Sequence, residues 1–283
     1  MEQWRFMDSG AVTGVTNMAM DLAMARLAKD SVFPATLRVY RWQPPAISLG
    51  FHQSMADLDL AKCRADGIDV VFRPTGGRAV LHSEELTYAV VVGPTSELFG
   101  LETMTFYERI SRAILEALRR LQISALFDRA ERTPQDFSRG ELSSLCYASA
   151  IQHEIGVDGK KLVGSAQRRF EDAVLQHGSI LIGPHHTQLA RYLASGNEVW
   201  RSAVQRYMGQ HTVCLNELRA QPVEYGELAE AMPAGFADVL DVAMQPAGLT
   251  DAEQTLVREL EEQHMETLRA KRPGAGVKNF GAA

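Results

Sequence analysis

Two side chains with the chemistry of acyl transfer stand fifteen positions apart in this chain. One is Cys146, in Ser143-Ser144-Leu145-Cys146-Tyr147; the other is Lys161, in Gly159-Lys160-Lys161-Leu162-Val163-Gly164. The thiolate is the nucleophile in such chemistry, and a nearby ammonium lowers the thiol pKa by favouring the charged form. Taken singly, each has a plainer reading: Cys146 as a small buried hydrophobe and Lys161 as a surface lysine of a hairpin.

A second run with chemical content is Arg73-Pro74-Thr75-Gly76-Gly77-Arg78-Ala79-Val80-Leu81-His82. Adjacent glycines after a strand let backbone N–H groups approach a ligand, and flanking arginines suit a phosphate or an acidic carrier. The run fits neither the Walker nor the dinucleotide-binding pattern. His82 and His177 each read equally well as ligand-lining or as satisfied polar core residues.

The elements that would position these groups are partly legible. Residues 128–145 are polar and aperiodic, with Pro134 and Gly140, and such a long loop in a compact domain is usually functional or disordered. After Cys146, Ile151, His153, Ile155 and Val157 alternate, Asp158-Gly159 fits a type I′ turn, and Leu162 resumes a strand. Lys161 then opens the returning strand and Lys160 faces solvent, because strand neighbours point oppositely. Extended runs are predicted at Thr36–Tyr40, Ala46–Gly50, Ile68–Arg73, Leu86–Val92, Ile123–Phe127 and Ala173–Ile182. Helices are predicted from Met18 to Lys29 with Asn17 as cap, and along Phe106, Ile110, Ala113, Ala117 and Leu121 behind a Thr105/Glu108 capping box. A last helix starts at a Thr250/Glu253 box and ends near Pro273, ahead of a small-residue tail, 274–283. Mixed strands and helices make the fold class α+β.

Composition narrows the function classes. The chain has 283 residues, 46% hydrophobic and 23% charged, enough for one large domain with a small appendage. A net charge of −6 argues against general nucleic-acid binding. Arg109, Arg112, Arg119 and Arg120 share one predicted helix and would be the local basic patch for an acidic partner, or simply a solvated face. Cys63, Cys146 and Cys214 are widely spaced, which suits a reducing cytoplasm and no metal, with Cys63 on a helix and Cys214 at a strand edge as structural residues. His185-His186 reads as a polar loop. No signal peptide and no membrane-length apolar run is seen, so a cytoplasmic protein is expected.

Together, Arg73 to His82 with Glu85-Leu86-Thr87-Tyr88, Lys161 to Gln167, and Leu175-Gln176-His177-Gly178-Ser179-Ile180 resemble the lipoate ligase and octanoyltransferase superfamily. Trp4 to Gly10 and Asn17 to Asp21 match it too, and the likeness runs over roughly residues 3–245. The closest resemblance is to LipM-type octanoyltransferases. It implies a biotin/lipoate protein ligase-type catalytic domain over 1–245, a mixed sheet flanked by helices, followed by a C-terminal helix and flexible tail over 246–283. It implies transfer of octanoate from octanoyl-acyl carrier protein to a lysine of a lipoyl domain, such as the glycine cleavage H protein, with no cofactor and as a monomer. Carried over by position, the acyl-thioester cysteine is Cys146 and the lysine that tunes it is Lys161. Arg73, Gly76, Gly77, Arg78, His82, Ser165, Ala166, Gln167, His177, Gly178 and Ser179 would line the substrate channel. Arg78 stands where ATP-using ligases typically carry a third glycine, and Ser83 where the family often has Asp. An amidotransferase between lipoyl domains, an ATP-dependent lipoate ligase and a non-catalytic binding module are the competing readings.

Overall fold

The computed structural model describes residues 1–128 and 154–271. Cys146 and its upstream loop, Ile151, His153 and the tail lie outside the described residues. Among the described residues, eleven strands and seven α-helices follow one another along the chain. The strands are β1 Glu2–Val12, β2 Ala35–Trp42, β3 Ala46–Leu49, β4 Asp69–Phe72, β5 Val80–His82, β6 Glu85–Val92, β7 Leu126–Asp128, β8 Glu154–Val157, β9 Lys160–Arg169, β10 Val174–Leu181 and β11 Val242–Pro246. The helices are α1 Gly14–Arg26, α2 Leu60–Ala65, α3 Thr103–Arg120, α4 Glu198–His211, α5 Leu215–Leu218, α6 Tyr225–Leu240 and α7 Asp251–Ala270.

The larger sheet has eight strands in the order β11-β1-β2-β6-β10-β9-β8-β7, and β4-β3-β5 form a second sheet. β1 pairs in parallel with both β2 and β11, while β2, β6, β10, β9 and β8 follow one another antiparallel. β6 is buried along its whole length because helices cover both faces. Leu86, Tyr88 and Val90 pack towards α3 and α6, with Phe106, Ile110 and Phe236. Ala89 and Val91 point the other way, towards Met24 of α1 and Val257 and Leu260 of α7. This is the period-two alternation of a strand, realised between two apolar layers.

Several expectations need correction. Asn17 lies inside α1, whose cap is Thr13; it is buried and donates to the carbonyls of Val12 and Arg41. α3 begins at Thr103 behind Glu102 without a side-chain cap, and Glu108 pairs with Arg112 instead of closing a box with Thr105. Arg119 and Arg120 are likewise matched by Glu116 and Asp238, so three of the four arginines on this helix carry their own acidic partners. Cys214 is the residue ahead of α5 rather than a strand edge, although it and Cys63 on α2 are both buried. His186 is buried, bonded through Nε2 to Thr212 Oγ1 at 2.8 Å, and burial lowers its pKa to about 4. The Thr250/Glu253 box does form. Glu253 also meets Arg5 of β1 in a buried two-pronged ion pair at 2.6 and 2.7 Å, which ties α7 to the main sheet. Among the described residues, no helix is long and apolar enough to cross a membrane.

Candidate active site

A cleft of about 590 Å3, counting its open mouth, lies where the two sheets meet. It is lined by residues of β9 and β10, by Arg73, Gly77, Val80 and His82 of the segment 73–82, and by Trp42 and Ser48.

Lys161 reaches this cleft through the turn that precedes it. Asp158 and Gly159 have φ of 50° and 73°, the pair of positive values that a type I′ turn requires. The turn sets the register of β9, so Lys160 is exposed and Lys161 is 8% exposed. The Lys161 carbonyl accepts from Val213 N at 2.9 Å, which fixes its backbone. Its Nζ donates to Glu154 Oε1 at 2.5 Å. Burial pushes the Glu154 carboxyl pKa up, against the opposing pull of the Lys161 charge.

The segment 73–82 is held by buried charges. Arg73 donates to the carbonyls of Gly76, Arg78 and Ser48 and to Ser48 Oγ, at 2.7 to 3.1 Å. Its guanidinium therefore shapes its own loop while also lining the cleft. Gly77 has φ of 96°, and Gly50 passes so close that a Cβ there would lie 2.0 Å from the Gly77 carbonyl oxygen. Buried beside the cleft, Thr75 Oγ1 meets His177 Nε2 at 2.7 Å, and His177 Nδ1 meets Asp21 Oδ2 at 3.0 Å. Burial depresses the His177 pKa although Asp21 opposes it. Arg168 of β9 donates to the Pro74 carbonyl at 2.8 Å.

His82 sits on β5 with its ring stacked on Trp42, centroids 4.1 Å apart. Its Nε2 meets Ser48 Oγ at 2.7 Å and its Nδ1 meets Glu85 Oε1 at 2.6 Å. Both histidines thus line the cleft and are satisfied by polar partners, so the two readings open at the sequence level both describe them. Gly178 tolerates no side chain, since a Cβ would lie 2.4 Å from the Gly164 carbonyl oxygen. Ser165 donates to or accepts from Tyr88 Oη at 2.7 Å.

Of the expected site residues, the cleft brings together Arg73, Gly77, His82, Lys161, Ser165, Ala166, His177, Gly178 and Ser179. Gly76, Arg78 and Gln167 are off its walls, and the buried Gln167 amide atoms have no hydrogen-bond partner among the described residues. Cys146 lies outside them. Sequence reasoning did not single out Ser48 or Glu154, and it quoted Asp21 and Glu85 only within motifs, without a role at the site. Their signal was weak, because each acts through a partner from another strand or helix.

The profile of the lipoyl protein ligase A/B catalytic domain matches residues 13–237. The octanoyltransferase LipM of Geobacillus kaustophilus is 36% identical over 262 residues, 92% of this chain and 94% of its own length. That of Bacillus subtilis is 33% identical over 264 residues, 92% and 95% of the two chains. Among solved structures, a bipartite lipoate protein ligase from Thermoplasma acidophilum superposes with a TM-score of 0.76 at 20% identity, covering 99% of both chains. An ATP-bound lipoate-protein ligase A gives 0.71 at 20% identity, over 93% of this chain and 95% of that one. These two likenesses speak for the fold, which is the mixed sheet flanked by helices that the motifs implied. On its sequence and its fold, the chain belongs to the lipoyl protein ligase A/B catalytic domain family.

Proposed function

We propose that this protein is an octanoyltransferase of protein lipoylation, an acyltransferase that carries the octanoyl group as a thioester on Cys146. The observation that carries the reading is the likeness to octanoyltransferases over more than nine-tenths of both chains. It is supported by a nearly buried lysine on the wall of the cleft, at the position where the family's cysteine-tuning lysine falls.

The donor is octanoyl-acyl carrier protein and the acceptor a lysine of a lipoyl-domain protein, such as the glycine cleavage H protein. The Lys161 ammonium favours the Cys146 thiolate, which attacks the donor carbonyl and expels the carrier thiol. One thioester replaces another, so the step is nearly isoenergetic and needs no nucleotide. A neutral acceptor amine then attacks the enzyme thioester, the C–S bond breaks, and the amide product lies downhill. Glu154 holds the Lys161 ammonium in place through both steps.

The test is intact-mass analysis of the protein incubated with octanoyl-acyl carrier protein, without ATP, before and after hydroxylamine. A hydroxylamine-labile octanoyl adduct that maps to Cys146 and is lost in Cys146→Ala is the expected result. No adduct, with activity only on adding free lipoate and ATP, would move the protein to the ligases. An adduct formed only from an octanoylated lipoyl domain would make it an amidotransferase.

A further inference from the structure

The strand that leads into segment 73–82 is an edge strand, and the last helix covers its outer side. β4 lies outermost in the order β4-β3-β5. On its inner side Asp69 N donates to the Pro45 carbonyl and Arg73 N to that of Leu49, both at 2.9 Å. Successive N–H groups of a strand point to opposite sides, so those of Val70 and Phe72 point away from β3. A buried backbone N–H on such an edge needs an acceptor from elsewhere in the fold.

Phe72 is buried, and its acceptor is a side chain: Phe72 N donates to His264 Nε2 of α7 at 3.3 Å. Burial lowers the His264 pKa to about 4, and the Lys271 charge adds to the effect. The ring is therefore neutral near pH 7, with Nε2 as its acceptor and the proton on Nδ1. Two turns further on, Lys271 Nζ stands 4.2 Å from the centroid of the Phe72 ring. Leu268, between them, belongs to the same apolar cluster as Phe72, Ala79, Val80 and Leu81.

α7 is itself anchored away from this contact. Glu253 pairs with Arg5 at its start, Glu261 accepts from the Thr16 hydroxyl, and Val257 and Leu260 join the cluster that holds Val71. Beside the contact the fold is open. A cavity of about 1060 Å3, counting its open mouth, lies along β4 and α7, with Val70, Val71, Cys63, Met265 and Leu268 in its lining. Apolar packing on that side is incomplete, so a directional contact has more to fix there. The residue after Phe72 is Arg73, whose guanidinium gathers the carbonyls of Ser48, Gly76 and Arg78 and lines the cleft.

We propose that His264 is a positioning residue for the cleft, holding the end of β4 and with it Arg73 and the segment 73–82. It acts from α7, which lies beyond the residues 13–237 that the family profile matches, so this helix is a working part of the cleft and not an appendage after it. The kinetic consequence rests on the octanoyl-transfer reading above; the structural one rests on the geometry alone. His264 acts only through the Phe72 amide. Its loss loosens a segment that lines the cleft and leaves the bond-making steps alone, so KM rises and kcat does not.

The test compares wild type, His264→Leu, His264→Gln and Lys271→Met by two measurements. One is hydrogen exchange, read by mass spectrometry on peptides spanning residues 70–82. The other is steady-state octanoyl transfer with octanoyl-acyl carrier protein as the varied substrate. Leu fills the space without an acceptor, whereas Gln presents an amide oxygen where Nε2 stood. The loss of one hydrogen bond sets the size: in His264→Leu, exchange over the segment and KM should each rise about five- to tenfold with kcat within about twofold. His264→Gln should bring both to within about twofold of wild type. Lys271→Met, at the exposed end of α7, should move both in the same direction by about two- to threefold, and it decides the matter if His264→Leu does not fold. Unchanged exchange, unchanged KM, a loss confined to kcat, or a Gln variant as impaired as the Leu variant would make His264 ordinary helix packing and overturn the proposal. A wild-type protein that transfers no octanoyl group would instead overturn the octanoyl-transfer reading. Exchange alone then decides the role of His264, and an unchanged segment in His264→Leu would end it.

Discussion

Replacing Asp21 by Asn should remove a keystone of both the fold and the cleft. Asp21 is fully buried on α1; its Oδ1 accepts from Arg38 Nη1 at 2.7 Å, and its Oδ2 from Tyr40 at 2.9 Å and His177 at 3.0 Å. Burial by itself would raise its pKa, but Arg38 and His177 hold it below the ordinary value. With the two charge centres about 4 Å apart and an effective dielectric near 20, the gross attraction is about 4 kcal/mol. Asn keeps the shape and strands the Arg38 guanidinium in the core, where breaking a buried pair costs roughly 3–5 kcal/mol. For a chain of this size that is a fall in Tm of roughly 6–20 °C. Urea unfolding followed by circular dichroism gives the free energy directly. Because the folded-state pKa is depressed, the stability that Asp21 confers is present above its unfolded pKa and is lost as pH falls through the folded value. The gap between wild type and Asp21→Asn should therefore be widest near pH 7 and close in acid. Arg38→Met should cost a similar amount, and the double variant much less than the sum. A single-site loss below about 1 kcal/mol, or strict additivity of the two changes, would refute the argument.

Three further outcomes are expected. Lys161→Met should slow thioester formation by about 10²-fold or more while Lys160→Met stays within about twofold, since only Lys161 reaches the cleft; equal effects in a burst assay with octanoyl-acyl carrier protein would remove Lys161 from the chemistry. Gly50→Ala should cost about 2–3 kcal/mol or displace the segment 73–82, because its Cβ would lie 2.0 Å from a carbonyl oxygen; unchanged stability with unchanged KM for the carrier would show the approach is slack. Stability should also fall as pH drops from about 6.5 towards 4. Burial lowers the pKa of His177, and of His186 and His264 to about 4, so the unfolded chain binds protons that the native state refuses. Each contributes up to about 1.4 kcal/mol per pH unit, with Glu154, whose pKa is raised, acting in the opposite sense. A flat stability profile between pH 7 and 5 would contradict these three burials.

Local signals were legible in the sequence where a single element carries them. Strand β6, buried on both faces, shows as the apolar run Leu86–Val92, and α3 shows as Phe106, Ile110, Ala113 and Ala117 at helical spacing. The Asp158-Gly159 turn decides which of two adjacent lysines faces the cleft, and that parity needs no tertiary information. Long-range pairing was not legible. β1 joins β11 in parallel with Trp4 opposite Met244, a partnership that no local pattern announces. Asn17 resembled a helix cap because capping is the commonest use of an Asn at such a point; here Arg38 reaches into α1 and makes a buried polar residue worthwhile. Ser48 meets His82, and Ser179 meets Glu85, only once β3 pairs with β5 and β10 lies beside β6. Glu154 looked like an ordinary strand residue until the hairpin brought it to Lys161.

The segment 73–82 is secured by charge as well as by the apolar packing of Ala79, Val80 and Leu81. Arg73 gathers three carbonyls and the Ser48 hydroxyl, and Thr75 is bound through His177 to Asp21, itself locked to Arg38. Apolar contacts give gradually when a side chain shrinks, whereas a buried charge without its partner costs several kcal/mol at once. A loop held this way has two states, fully engaged or released, with little between. This means that Asp21, on the helix behind the cleft, should act on KM and on the pH profile together when changed. A substitution of a purely apolar neighbour such as Met24 should lower stability and leave both kinetic readouts unmoved.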